Sequence, residues 1–227
     1  EELDAPNEWF FDKATRRLYY FFNATGGNGP TGNESWDATQ TEILFNITGS
    51  SPKQPVRNVM LRGLELRDTS YTYIGTSKAA IHGMPSGGDW GLQRSGAVLI
   101  ENSEETTIDG CNFVRVDGNG ISINNYNRDV VLSDNDFSWI GDSAMTSWGS
   151  TGYCLNENCT RKMPYPNGPD GRNGNQPRGT RVIGNLAREI GIWQKQSSMW
   201  FQATTARTIF SGNVFFNGPR AALNFND

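Results

Sequence analysis

Five segments of the chain repeat one pattern, a short β-branched strand, a corner of Gly, Asp or Asn, and a second apolar strand. The segments that share it are residues 56–66, 105–113, 129–137, 180–186 and 207–215. Phe113 and Phe137 are 24 residues apart, and Asn185 and Asn213 are 28 residues apart. A recurring spacing of this size is typical of proteins in which similar units stack on one another.

A further turn with Gly precedes another strand after several of these corners. These turns and strands cover residues 118–123, 141–146 and 218–223. Three strands per unit predict an all-β fold, a right-handed parallel β-helix. Units stacked about 4.8 Å apart share one apolar core, and inward asparagines at the corners form ladders between units. A β-sandwich with accidental spacing is the alternative. Helices are disfavoured because the segments lack apolar residues at a spacing of 3.6.

The first part of the chain lacks the repeat. Residues 8–12 (EWFFD) and 18–22 (LYYFF) flank a turn, which is typical of a β-hairpin. A further strand pattern covers residues 42–47. We therefore predict a small antiparallel capping unit over residues 1–55 and the β-helix over residues 56–227, continuing beyond that segment.

Two long insertions interrupt the predicted β-helix, near residues 71–95 and 149–178. The second insertion contains Cys154 and Cys159, which close a short polar loop and are predicted to form a disulfide. Cys111 lies within a strand pattern and is predicted to be buried and free. No histidine or further cysteine accompanies the pair as a zinc site requires, and we expect no metal and no cofactor.

Charge and hydropathy exclude several classes of protein. The chain carries 20 Lys and Arg against 24 Asp and Glu, which gives a net charge of −4. A nucleic-acid-binding protein needs a basic face to neutralise phosphates, so we expect no nucleic-acid partner. No apolar run reaches the roughly 18 residues of a membrane-spanning helix. A hydrophobic content of 36% is enough for a folded core.

Four Asn-x-Ser/Thr sequons indicate the secretory route. Their asparagines are Asn23, Asn33, Asn46 and Asn158. We predict that all four carry N-glycans and that the protein is secreted or lies at the cell surface. The chain starts at Glu1 and not at a Met. Its last five residues have the pattern of the middle of a strand. Both features indicate a processed or partial segment of a longer protein.

Several segments resemble right-handed β-helix proteins of the pectin-lyase-like superfamily. They are residues 3–12, 55–64 (PVRNVMLRGL), 88–90 (GDW) and 118–121 (GNGI). The most specific are residues 184–202 (GNLAREIGIWQKQSSMWFQ) and 218–227 (GPRAALNFND). These are similar to eukaryotic extracellular β-helix proteins that are distantly related to β-helical glycoside hydrolases.

This resemblance covers nearly the whole chain and is specific for the fold. It is weak for activity, because the superfamily includes lyases, hydrolases and adhesins or fibres without enzymatic activity. Similar proteins usually continue past the Asn-Asp that ends at Asp227, with more coils and acidic segments on the sugar-binding face. The resemblance therefore implies that coils beyond Asp227 would complete any active site.

Four acidic residues follow apolar strands near the turns and are the catalytic candidates. They are Asp117, Asp142, Glu189 and Asp227. A glycosidase needs two carboxyl groups about 5 to 9.5 Å apart, and neighbouring coils can supply that separation. The favoured alternative is that such residues cap backbone N–H groups in turns. A lyase would use Arg188 or Lys195 as base, but no acidic cluster accompanies them.

Five tryptophans are candidates for a platform on which sugar rings stack. In the alternative interpretation, their side chains fill the interior of the coils. They are Trp90, Trp139, Trp148, Trp193 and Trp200. Polar side chains surround two of these indoles within residues 193–202. The predicted carbohydrate contacts are Trp193, Gln194, Lys195, Trp200 and Gln202.

Two functions remain open from the sequence. The favoured hypothesis is an N-glycosylated structural module of an extracellular fibre, matrix or surface appendage. It predicts that the strand around Leu223 and Phe225 contacts another subunit or further chain, because a stack that stops there exposes unpaired strand edges. The other hypothesis is a protein that acts on or binds carbohydrate, with a polysaccharide as its partner. It would be a glycoside hydrolase, a polysaccharide lyase or a carbohydrate-binding protein.

Overall fold

The computed structural model describes residues 3–12, 14–22, 30, 32–36, 38–72, 93–149 and 174–226. All regular elements within these ranges are β-strands, which confirms the all-β prediction. Several residues singled out in the sequence lie outside the described residues. They are Asn23, Trp90, Cys154, Asn158, Cys159 and Asp227. The disulfide and the glycans predicted there stay predictions.

The first two strands form an antiparallel pair within a compact unit that covers Glu1–Ala38. They are β1 (Trp9–Asp12) and β2 (Arg17–Tyr20), with Trp9 opposite Tyr20. The Asp12 carboxylate closes the turn between them, accepting hydrogen bonds from the backbone N of Ala14 at 2.9 Å and the hydroxyl of Thr15 at 2.6 Å. This confirms the hairpin predicted from the aromatic runs.

The other strands belong to a second compact unit, Thr39–Asp227. In chain order they are β3 (Phe45–Thr48), β4 (Val56–Arg57), β5 (Met60–Arg62), β6 (Glu65–Thr69), β7 (Gly96–Glu104), β8 (Thr107–Asp109), β9 (Asn112–Val116), β10 (Asn119–Arg128), β11 (Val131–Ser133), β12 (Asp136–Ile140), β13 (Met145–Trp148), β14 (Pro177–Arg178), β15 (Arg181–Ile183), β16 (Leu186–Ile190), β17 (Ser198–Ala203), β18 (Ile209–Ser211), β19 (Val214–Phe215) and β20 (Ala221–Asn226).

These strands form three parallel sheets. The first sheet contains β3, β7, β10, β13, β17 and β20 in that order, with β4 beside β7 and β14 beside β10. The second contains β5, β8, β11, β15 and β18, and the third contains β6, β9, β12, β16 and β19. The chain passes from the first sheet to the second, then to the third and back to the first. We call each such pass a repeat and number the repeats 1 to 5.

Corresponding residues of successive repeats lie side by side, so the core consists of rows of apolar side chains. In the first sheet, Val98, Ile121, Met145 and Trp200 are in register and inaccessible to solvent. In the third sheet the rings of Phe113 and Phe137 stack with centroids 4.6 Å apart.

An asparagine ladder connects the corners between the second and third sheets. The amide nitrogen of Asn135 donates to Oδ1 of Asn185 at 2.9 Å, and that of Asn185 donates to Oδ1 of Asn213 at 3.0 Å. Cys111 occupies the same corner one repeat earlier, and its backbone N donates to Oδ1 of Asn135. The ladder and the burial of Cys111 agree with the sequence analysis.

The compact units divide between Ala38 and Thr39, earlier than the boundary expected after residue 55. The reason is strand pairing. Phe45 lies opposite Val98 in β7, and β4 also pairs with β7. Phe45–Thr48 therefore belongs to repeat 1, although its sequence lacks the corner pattern that marks the later repeats.

Candidate functional site

Asp117 lies at the corner where the chain leaves the third sheet and returns to the first. Its backbone N donates to the Thr69 hydroxyl of the preceding repeat at 3.2 Å. Its carboxylate accepts a hydrogen bond of 3.0 Å from Nε1 of Trp193. Partial burial raises the pKa of Asp117 above its usual range, the indole hydrogen bond opposes this rise, and the charge of Asp68 adds to it.

Trp193 extends from the corresponding corner two repeats later and leaves 60% of its surface exposed. Its backbone N donates to the Gly141 carbonyl at 3.1 Å. The Lys195 ammonium donates to the carbonyls of Gly191 and Ile192 at 2.8 and 2.9 Å. These contacts hold the turn that carries the indole.

Glycine is required where this turn begins. Gly191 has a φ of +65°, and a Cβ there would lie 2.3 Å from the Ser197 hydroxyl and 2.4 Å from Pro219. A side chain at this position would displace the turn and with it Trp193. The turn also fixes Gln194, whose backbone N donates to the Gly141 carbonyl at 2.9 Å.

Asp142 has a different environment from Asp117, although both follow a strand of the third sheet. It is buried, its backbone N donates to the Gly118 carbonyl, and its carbonyl accepts from the backbone N of Gly191. Burial raises the pKa of Asp142 to about 7. No partner among the described residues contacts its Oδ2. Asp142 is therefore enclosed by the protein, unlike Asp117, and its catalytic role stays a prediction.

Glu189 belongs to a column of residues on the outer edge of the third sheet. One residue from each repeat occupies the same register position, next to the last strand residue or just after it. This outer column consists of Asp68, Arg115, Trp139, Glu189 and Asn217. All five have left-handed backbone, with φ values of 57, 50, 57, 49 and 51° respectively.

Side chains of the outer column contact one another across repeats. Arg115 donates to both carboxylate oxygens of Asp68 at 2.8 and 3.2 Å. The Asn217 amide donates to Glu189 at 2.7 Å. Trp139 lies between the two pairs and is 55% exposed. Nothing in the local sequence distinguishes Arg115, Asp68 or Asn217, and their shared distance from the aligned corners is the only sequence signal for them.

The structure separates Trp200 and Gln202 from the other predicted carbohydrate contacts. Trp200 is fully buried in the core, and its Nε1 donates to Oε1 of Gln202 at 3.0 Å. Trp148 is also buried, against Phe201, with ring centroids 4.4 Å apart. These two tryptophans therefore fill the protein, whereas Trp139 and Trp193 face solvent.

Two of the predicted glycosylation sites lie within the described residues. Asn33 and Asn46 are both exposed. The Thr48 hydroxyl, the third residue of its sequon, donates to Oδ1 of Asn46. Exposure is what an N-glycan requires, and occupancy of all four sites stays a prediction.

The described ranges contain neither a cluster of metal-binding side chains nor a candidate membrane-spanning helix. No three His, Cys, Asp or Glu side chains there group closely enough to hold a metal ion. The same part of the chain has no helix of the length and apolarity needed to cross a membrane.

Comparison with known proteins relates the fold to one solved structure. No protein-family model matches the chain, and no curated protein gives a significant match. A solved structure described as a glycoside hydrolase aligns with 89% of the chain at a TM-score of 0.64 and 12% identity. The chain spans 36% of the length of that protein. At this identity the likeness concerns the fold.

Proposed function

We propose that the three parallel sheets form one right-handed β-helix of the pectin-lyase-like superfamily and that it binds carbohydrate around Asp117 and Trp193. The cyclic order of the sheets and their in-register rows support the fold. The carbohydrate ligand is supported by the likeness to a glycoside hydrolase and by the residues at this corner.

The hydrogen bond from Trp193 to Asp117 is the observation that carries the proposal. It fixes an indole that is 60% exposed. Sugars present C–H groups on one face and hydroxyls around the rim, so a flat aromatic face next to a carboxylate contacts both. The second oxygen of Asp117 is the acceptor for a sugar hydroxyl. Because the turn is held in place by Lys195 and Gln194, little conformational entropy is lost when a ligand binds.

Binding, rather than hydrolysis, is the activity we propose for this segment. Glycoside hydrolysis uses two carboxyl groups about 5 to 9.5 Å apart across the scissile bond. Asp142 is buried, and Glu189 lies two repeats from Asp117, about 10 Å along the stack at about 4.8 Å per repeat. No two of these three candidates therefore form an exposed pair.

Electrophoresis in native gels that contain a polysaccharide tests the proposal. The panel holds a glucan, a mannan, a xylan and a galactan as neutral polymers, and polygalacturonate as an acidic one. We expect at least one polymer to retard the wild-type protein and Trp193→Ala to lose most of that retardation. The matched control is Trp9→Ala, which removes an indole that is 64% exposed in the Glu1–Ala38 unit. Equal migration of all three proteins in every gel would refute carbohydrate binding at Trp193.

The structural role expected from the sequence is a second proposal. In it the protein is an extracellular, N-glycosylated component that associates with copies of itself. Repeat 5 and β20 carry the side chains on which either a further repeat or another copy would stack, and Ile209, Val214 and Phe225 among them are 54, 56 and 58% exposed. Sedimentation velocity over a range of concentrations tests this role. A monomer at every concentration would contradict it.

A further inference from the structure

The turn that presents Trp193 is held at both ends by a corner of the preceding repeat. We call this segment, from Gly191 to Ser198, the Trp193 turn. Where it begins, the backbone N of Gly191 donates to the Asp142 carbonyl at 3.0 Å. Where it ends, the backbone N of Ser198 donates to Oγ of Ser143 at 3.0 Å. Two neighbouring residues thus fix both ends of the turn, so a displacement of this corner moves the indole.

The Asp142 carboxyl is connected to the Trp193 turn through one hydroxyl group. Oγ of Ser143, which accepts the bond from Ser198, donates to Oδ1 of Asp142 at 3.4 Å. Asp142 is only 2% exposed, and its Oδ2 has no partner among the described residues. On the side of the turn, Oγ of Ser197 and Oε1 of Gln196 are buried and equally lack a partner in the described ranges. Each of these atoms would gain hydrogen bonds to water if the turn opened, so the closed turn is weakly stabilised.

An acid occurs at this position in one repeat alone. The residues three places before the core row of the first sheet are Ser95, Gly118, Asp142 and Ser197, in the four repeats that the row spans. Three of these residues have no charge to gain or lose. Any dependence of this position on pH therefore comes from Asp142.

Three charged side chains lie on the segments packed against Asp142, and each is bonded to another group as described above. They are Asp117, Lys195 and Glu189. Burial raises the pKa of Asp142 to about 7, the hydrogen bonds of Ser143 oppose the rise, and no charged neighbour in the described ranges takes part. If Asp142 ionises while the turn is closed, its charge is therefore buried without a cation, which is unfavourable.

We propose that Asp142 controls the position of the Trp193 turn: the protonated carboxyl keeps the turn closed, and ionisation opens it. The proton passes to water, and the carboxylate becomes hydrated only when the turn lifts from the corner. Lifting the turn breaks the bond from Ser198 to Ser143 and separates the indole from Asp117. The consequence for carbohydrate rests on the proposed function. Binding at Trp193 should weaken as the pH rises through about 7.

NMR between about pH 5.5 and about pH 8.5 tests this control without any carbohydrate. We expect the indole N–H resonance of Trp193 to move with the same midpoint as the carboxyl carbon resonance of Asp142. A change that Asp117 causes in the Trp193 resonance is recognised by the midpoint of the Asp117 carboxyl. The internal controls are Trp9, in the other unit, and Trp200, in the core. Their resonances should stay in place, which separates opening of the turn from unfolding.

Two variants assign the effect to Asp142. Asp142→Asn is similar in shape but cannot ionise, so the change at the Asp142 midpoint should disappear and the turn should stay closed at every pH. Asp129→Asn, which alters an exposed carboxyl, should behave like the wild type. The inference is overturned if Asp142 titrates while the Trp193 resonance stays in place, or if Asp142→Asn retains the change. If Asp142→Asn does not fold, the two midpoints in the wild type decide.

Native gels with the same five polymers, run at about pH 6 and about pH 8.5, measure the consequence for binding. Relative to gels without polymer, the wild type should bind roughly 3- to 10-fold more weakly at the higher pH, and Asp142→Asn equally at both. Wild-type retardation that is independent of pH would contradict the control of binding. If no polymer retards the wild type while Trp193 follows Asp142, the proposed function fails and the control of the turn stands. If polymers retard it but Trp193 does not follow Asp142, the proposed function stands and this inference fails.

Discussion

The indole Nε1 of Trp193 donates a hydrogen bond of 3.0 Å to Oδ1 of Asp117, 76 residues earlier in the chain. The two residues lie in corners two repeats apart, and the turn containing Trp193 crosses the intervening corner at Gly141. The bond favours the charged form of the carboxylate and opposes the rise in pKa that burial causes.

Replacing the donor should therefore raise the pKa of Asp117 further. Trp193→Phe keeps an aromatic ring and removes the N–H group, so the desolvation of the carboxyl changes less than its hydrogen bonding. We expect the Asp117 carboxyl resonance to titrate at higher pH in the variant than in the wild type, as measured by carbon NMR. Trp139→Phe is the control, and a pKa shift of the same size in that variant would contradict the account.

The buried acid Asp142 should make stability depend on pH. Its pKa is about 7 in the folded state, against about 3.9 for an unperturbed Asp. Between these values the folded protein holds a proton that the unfolded chain has released. The free energy of unfolding should therefore fall as the pH rises from about 4 to about 7, by a few kcal/mol at most.

Asp142→Asn mimics the protonated acid and should remove this pH dependence. Urea unfolding at several pH values is the measurement, and the variant should be more stable than the wild type at pH 8 but similar to it near pH 4. The control is Asp129→Asn, which changes an exposed carboxyl. If Asp142→Asn shows the same pH dependence as the wild type, Asp142 is not the group responsible.

The asparagine ladder should contribute measurably to stability. Asn185 donates to the Leu132 carbonyl and to Asn213, and it accepts from both nitrogens of Asn135. Asn185→Ala leaves several buried groups unpaired, so we expect a loss of about 2–4 kcal/mol in urea unfolding. Asn213→Ala should cost less, since Asn213 is only half-buried. Equal losses would indicate that cavity formation, and not the ladder, sets the cost.

Much of the fold was predictable because each repeat carries its own corner residues. The spacing of Phe113 and Phe137 predicted their alignment, and the rings stack in the structure. The asparagines at the corners predicted the ladder for the same reason. The handedness of the β-helix is a proposal that rests on resemblance and on one distant structural neighbour.

The site was less predictable, because local sequence does not determine which way a corner residue faces. Asp117 and Asp142 both follow an apolar strand, yet one is half-exposed and the other is buried beneath the corners of neighbouring repeats. Trp193 and Trp200 are seven residues apart, but Trp193 lies in a turn, whereas Trp200 lies in β17, whose first four residues are all buried. Arg115 and Glu189 become neighbours of Trp139 only once three repeats are aligned.

Glycosylation is the prediction that tests secretion. Protein from its native source should lose the mass of several N-glycans on enzymatic deglycosylation, because exposed sequons in a secreted chain are commonly occupied. Peptide mapping should find glycans on Asn33 and Asn46, which are exposed, and on Asn23 and Asn158. An unchanged mass would contradict the secretory route.

The indole N–H resonances of the tryptophans test carbohydrate binding at Trp193 most directly. Nitrogen–proton correlation NMR resolves them, and single Trp→Phe variants assign them. On titration with the polysaccharide fragment that the protein binds, we expect the resonance of Trp193 to shift to saturation. The resonances of Trp9, which is exposed in the other unit, and Trp200, which is buried in the core, should stay in place. Saturation that leaves the Trp193 resonance unmoved would contradict the account.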